Sequence, residues 1–185
     1  DIPLPAANVR IEEKRAETFF TAAWHISGAL TVEAGSRYET STLTQSGDSA
    51  LRKSLSFIKP RVLVRWAPSP RDEIRALFER SVTAGNKDLE PDSLWRTELA
   101  WERRIGKGSV VVTARNESIS DVVDRIPVVT DSGVYDAVGN IGSGRRQELQ
   151  FDFNLPFDPV GLAGVALQGS GLWRRSRVTD PVTGE

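Results

Sequence analysis

From Leu149 the chain alternates strictly: Leu149, Phe151, Phe153 and Leu155 are apolar, and Glu148, Gln150, Asp152 and Asn154 between them are polar. Successive side chains of a strand point to opposite faces, so this period predicts a strand with one apolar and one wet face. The pattern recurs along the chain. Ala22, Trp24 and Ile26 oppose Glu17, Thr21 and His25, and Leu30, Val32, Ala34 and Tyr38 oppose Thr31, Glu33, Arg37 and Glu39. Val62, Val64 and Trp66 oppose Arg61 and Arg65, and Ile74, Ala76 and Phe78 oppose Arg75 and Glu79. Leu99 and Trp101 oppose Arg96, Glu98, Glu102 and Arg104, and Val110, Val112 and Ala114 oppose Thr113, Arg115 and Glu117. Val165, Leu167 and Trp173 oppose Gln168, Ser170 and Arg174.

About eight strands follow from this period. Residues 72–82 also carry helical spacing at Ile74, Leu77 and Phe78. The Pro68-Ser69-Pro70 turn before them makes a hairpin with 61–67, so a strand is expected. The connections alternate in length. Short turns fall at 27–29, 68–70, 106–108 and 156–161, and longer connections are expected around 46–54, 83–93 and 127–144. An all-β, antiparallel up-and-down meander with tight turns at one end and long loops at the other is the layout of part of a transmembrane β-barrel. Trp24, Trp66 and Trp101 each precede a short turn on the apolar face, and Phe157 lies in the fourth turn. Amphipathic rings gathered near one rim suit a membrane interface.

The wet face carries both signs of charge, and opposite charges on neighbouring strands stabilise a sheet by about 0.2–1 kcal/mol per pair. Such rows would line a lumen. The candidate lumen or ligand-side residues are Arg37, Glu39, Arg65, Glu79, Glu98, Glu102, Arg115, Glu148, Asp152 and Arg174. Polar residues at 46–54, 86–92, 131–146 and 175–185 are further candidates on the long-loop side.

Composition narrows the chemistry. The chain has 185 residues, 24 Lys+Arg against 25 Asp+Glu, and a formal charge of −1. A nucleic-acid binder needs a cationic surplus, so no nucleic-acid partner is expected. There is no cysteine and only one histidine, which excludes thiolate chemistry and multi-histidine metal sites, and no cofactor is expected. No run approaches the ~18 apolar residues of a spanning helix. Asp1-Ile2-Pro3-Leu4-Pro5 does not read as a signal peptide, and the absence of methionine reads as excision from something longer.

Isolated motifs add little. His25 is the sole imidazole that could serve as a base, and it sits beside a rim tryptophan at a turn, so no enzyme activity is expected. Ile141-Gly142-Ser143-Gly144-Arg145-Arg146 precedes a strand rather than opening a helix, which makes it a loop rather than a phosphate cradle. The oxygen-rich stretch 86–92 lacks the glycine and terminal glutamate of a calcium loop. The sequon Asn116-Glu117-Ser118 falls within an expected strand and reads as chance.

Gly85-Asn86-Lys87-Asp88-Leu89-Glu90-Pro91-Asp92, followed by an amphipathic strand, resembles the GN-x-x-L-x-P-E segment of TonB-dependent outer-membrane receptors. The hairpin from Lys59-Pro60-Arg61 to Trp66-Ala67-Pro68 is similar to the KP-x-x-x-x-W hairpin preceding it, and 173–184 looks like a strand rising into an external loop. The resemblance covers essentially the whole chain. It implies residence in the cell outer membrane, a 22-stranded barrel plugged by an N-terminal domain, and import of a siderophore, cobalamin or carbohydrate using energy from the TonB complex. The implied partners are outer-membrane lipid, the plug domain of the same parent chain, TonB and a small ligand. Residues 1–185 carry neither plug nor TonB box, and the 82–85 connection is shorter than the family pattern, so a partial barrel is expected. The competing readings are a self-contained small barrel acting as an adhesin or anchor, and an outer-membrane hydrolase using His25.

Overall fold

The computed structural model describes residues 9–47, 50–83, 89–130, 133–158, 161–162 and 164–178. Ten strands follow in order: β1 (Val9–His25), β2 (Leu30–Gly47), β3 (Leu51–Ser69), β4 (Asp72–Thr83), β5 (Asp92–Ile105), β6 (Gly108–Ser120), β7 (Val123–Thr130), β8 (Gly133–Asn140), β9 (Gly144–Pro156) and β10 (Ala166–Val178). Eight form one antiparallel sheet in the order β1-β2-β3-β4-β5-β6-β9-β10, and β7 and β8 form a separate two-stranded sheet. The all-β meander expected from the period is therefore present, and residues 72–83 are strand rather than helix.

Two of the expected long connections are instead strand. β2 runs to Gly47 and β3 starts at Leu51, so most of 46–54 belongs to the ladder. Residues 127–144 hold most of the β7–β8 hairpin rather than a loop. That hairpin leaves the sheet at Asp121, which sits at φ 58°, and is closed at its base by Val122 N donating to Gly142 O and Ile141 N donating to Val122 O, both at 2.8 Å.

Short turns close the other end. Gly106 takes φ 60° between β5 and β6, a conformation glycine adopts without a Cβ penalty. Register then carries each side chain to one of two faces. On one face, Trp66 of β3, Ile74 of β4, Trp101 of β5, Val112 of β6 and Phe151 of β9 lie in successive cross-strand positions. Phe153 covers Gly169 so closely that a Cβ there would approach the ring at 2.6 Å. Many apolar side chains of this face remain exposed, including Trp24, Phe20, Leu99 and Trp173. A water-soluble sheet would cover such a face with a second layer.

The β3–β4 ladder runs from Arg61–Glu79 down to Ser69–Asp72. Pro60, the next residue up β3, has no N–H to extend it. Arg80 reaches across instead, donating to Ile58 O at 3.3 Å and to Ser93 Oγ at 2.9 Å, with its guanidinium 5.7 Å from the Trp95 ring. Among the described residues β1 and β10 are the sheet edges and do not pair, so the small closed barrel is not formed by these strands.

Candidate functional site

The polar face is an ordered array of ion pairs. Register places Arg61, Glu79, Arg96, Glu117 and Arg146 directly opposite one another on β3, β4, β5, β6 and β9. The adjacent row holds Glu98, Arg115, Glu148 and Arg174 on β5, β6, β9 and β10. The sign changes at every step of both rows.

Each step is a contact. Arg61 lies 3.6 Å from Glu79 and 2.6 Å from Glu33 of β2, and Arg96 bridges Glu79 at 3.0 Å and Glu117 at 2.8 Å. Arg146 pairs with Glu117 through two nitrogens, its Nε at 2.6 Å. Arg115 bridges Glu98 at 2.7 Å and Glu148 at 2.8 Å, and Arg174 reaches Glu148 at 2.5 Å. Arg146 Nε, 3.7 Å from Glu148, links the two rows. Glu117 and Glu148 are buried beneath these guanidinium groups. A buried carboxylate is tolerable only when its lone pairs are met this way.

Of the residues singled out from sequence, Glu79, Glu98, Arg115, Glu148 and Arg174 thus come together in the network. Glu39 is buried in a separate cluster on β2, held by Lys59 at 2.5 Å and Arg15 at 3.4 Å. Arg37 pairs with Glu17 at 3.2 Å. Glu102 lies opposite Glu73, and Arg75, 3.4 Å from Glu73 and 3.6 Å from Glu102, separates the two like charges.

Arg65 and Asp152 stand apart. Arg65 faces Arg75 across β3–β4, and Asp152 accepts a 2.8 Å bond from Gln150; among the described residues neither has an oppositely charged partner. The loop-side candidates at 86–88, 131–132 and 179–185 lie outside the described residues, as does 85–88 of the GN segment.

The candidates read from sequence leave out Arg61, Arg96 and Glu117, and hold Arg146 only within the loop-side stretch 131–146. Glu117 carries the right period on β6, a usable signal. Arg146 is hidden by its neighbour Arg145, because two consecutive arginines give no parity. Phe19, Leu63 and Leu77 also occupy the polar face, Leu63 buried and Phe19 exposed.

Trp24, Trp66 and Trp101 all lie on the opposite face near the short-turn end, Trp24 one row further from that end. Phe157 lies in the β9–β10 connection, where its N–H donates to Val165 O. His25 places Nδ1 3.2 Å from Thr31 Oγ1 on the wet face. Among the described residues no three His, Asp or Glu side chains are arranged to hold a metal. No helix of the described residues is long and apolar enough to cross a membrane.

No protein-family model matches the sequence, and no curated protein does. Solved structures do match. The FrpB iron transporter from Neisseria meningitidis superposes with a TM-score of 0.76 at 14% identity, over 95% of this chain and 28% of that one. The copper transporter OprC gives 0.76 at 8% identity, over 92% and 30%. The alcaligin outer-membrane receptor FauA from Bordetella pertussis gives 0.67 at 10% identity, over 92% and 31%. The chain thus spans less than a third of the length of each of these proteins. The first two are metal transporters and the third is an outer-membrane receptor. An eight-stranded meander with one apolar and one ion-paired face, superposing on this one architecture, has the fold of a sector of a TonB-dependent receptor β-barrel.

Proposed function

We propose that these residues form part of the barrel wall of an outer-membrane TonB-dependent receptor that imports a scarce small ligand. The observation that carries the reading is the division of one continuous sheet into an exposed apolar face and an ion-paired polar face, on a fold shared with such receptors. The apolar face meets lipid, and the polar face lines the lumen around a plug domain. Trp24, Trp66, Trp101 and Phe157 then rest at the periplasmic interface, where indole and phenyl rings are favoured.

The ligand belongs to the siderophore, cobalamin or carbohydrate class. Within it, a metal-bearing ligand fits best, because two of the similar proteins are an iron and a copper transporter. The wall performs no bond chemistry. Its paired charges cancel locally and stiffen the lumen. Arg65 and Asp152, which lack ion partners among the described residues, are two lumen charges with capacity left for the plug or ligand.

The test uses the absence of cysteine. Single cysteines at Val112, Thr113 and Ala114 of β6, spin-labelled in the full receptor in lipid, should alternate in accessibility. Labels at 112 and 114 should be relaxed by oxygen and shielded from a water-soluble nickel chelate, and the label at 113 should show the reverse. Equal access of the chelate to all three overturns the reading.

A further inference from the structure

The two ends of the outer face differ. Along β9 and β10 its cross-strand pairs are Leu155–Leu167, Phe153–Gly169, Phe151–Gly171 and Leu149–Trp173. The next two are Gln147–Arg175 and Arg145–Arg177. Arg145, Arg175 and Arg177 are all exposed, and among the described residues none of their side chains has an ion-pair or hydrogen-bond partner. This contrasts with the polar face, where nearly every arginine has a glutamate at hand. Like charges placed directly opposite destabilise a sheet, so the Arg145–Arg177 pair favours an anion held between the two guanidinium groups. With Gln147 and Ser176 the three arginines line a depression of about 170 Å³, large enough for a phosphate group.

Its height fixes the kind of anion. Arg145 lies about 34 Å along β9 from Leu155 at ~3.4 Å per residue. A strand tilt of roughly 35–45° converts this to about 24–28 Å, close to the ~25 Å apolar band of an outer-membrane barrel. The arginines therefore sit at the upper edge of the band, on the end away from the β9–β10 turn and nearest the β7–β8 hairpin. They face outward, at the level of the lipid headgroups.

We propose that Arg145, Arg175 and Arg177 form a binding site for the phosphate groups of an outer-leaflet glycolipid of the lipid A class, with Leu149 and Trp173 beneath them against its acyl chains. Guanidinium groups bind phosphate bidentately and retain their charge at an interface. The inference rests on the lipid-facing assignment made under Proposed function.

The experiment uses the full receptor in detergent, native mass spectrometry, and three probes: bisphosphorylated lipid A, dephosphorylated lipid A and inorganic phosphate. The wild type should retain the bisphosphorylated lipid. The R145Q/R175Q/R177Q variant should hold it on the order of 100-fold more weakly, from about fivefold per charge at a membrane surface. Dephosphorylated lipid A should bind both forms weakly. R145K/R175K/R177K, which keeps the charge, should recover most of the retention, and Arg177→Gln alone gives a partial loss should the triple variant fail to fold. Equal retention by wild type and both glutamine variants overturns the site. Displacement of the lipid by inorganic phosphate at matching concentration also overturns it, by making this a free-phosphate site. A spin label at Leu149→Cys separates this result from the underlying reading. Lipid-buried label without lipid A selectivity sinks only this inference, whereas a water-exposed label sinks the lipid-facing assignment itself.

Discussion

Glu117 shows what the ion-paired face asks of a single residue. Its side chain is 1% exposed, between Arg96 and Arg146, on a sheet with no second layer above it. Removing one partner from a buried pair costs about 3–5 kcal/mol. Here both arginines are about one-third exposed and retain second carboxylates, Glu79 and Glu148, so the cost is smaller. Glu117→Gln should lower the stability of the full receptor by about 1–3 kcal/mol, read as a shifted midpoint in urea unfolding, while a shift below ~0.5 kcal/mol would mean the row is decorative. The face Glu117 occupies was legible from period alone. Its neighbours in space were not, because cross-strand pairing depends on register, which one strand's sequence does not contain.

The strands were legible only where one face is apolar. Across Thr40–Ser46 and Ser54–Ser56 both faces of β2 and β3 are largely polar, so hydropathy gives no period although the backbone ladder continues to Gln45–Leu51. The β7–β8 hairpin was hidden for a related reason. Pro127, Gly133 and Gly139 interrupt it, and apolar residues such as Ile126, Val134 and Val138 fall on both its faces. One side chain ties it down. Asn140 donates Nδ2 to Glu90 O and to Asp121 O at 2.8 Å and accepts from Glu90 N at 2.9 Å, standing in for a peptide group between the hairpin and the segment leading into β5. Lys53 of β3 extends the tie by donating to Leu89 O at 2.8 Å. Asn140→Ala removes three hydrogen bonds at exposed sites, each worth about 0.5–1.5 kcal/mol. Amide exchange across 123–140 should accelerate by tenfold or more while β5 and β6 stay protected. Unchanged exchange in the hairpin would show that Val122, Ile141 and Gly142 hold it unaided.

At the scale of the molecule, the energetics turn on the edges. β1 and β10 each pair on one side only, with long rows of N–H and C=O groups free on the other. Water satisfies such an edge, but hydrocarbon does not, and each orphaned group costs several kcal/mol there. The inner pairs cannot offset this, because the apolar face gains nothing by leaving one apolar surface for another. Stability in the membrane therefore requires further strands to continue the sheet from both edges. The sequence alone supported this expectation through the resemblance, and the sheet order now gives it a mechanism. Residues 1–185 refolded alone in detergent should yield aggregates or protease-sensitive oligomers. The same residues within a full receptor should give a monomer that migrates faster before boiling than after, and strand pairing should protect β1 and β10 from exchange as well as β5. A protease-resistant, heat-modifiable monomer from the 185 residues alone would mean that β1 and β10 can close on each other, and the wall would then be a barrel in its own right.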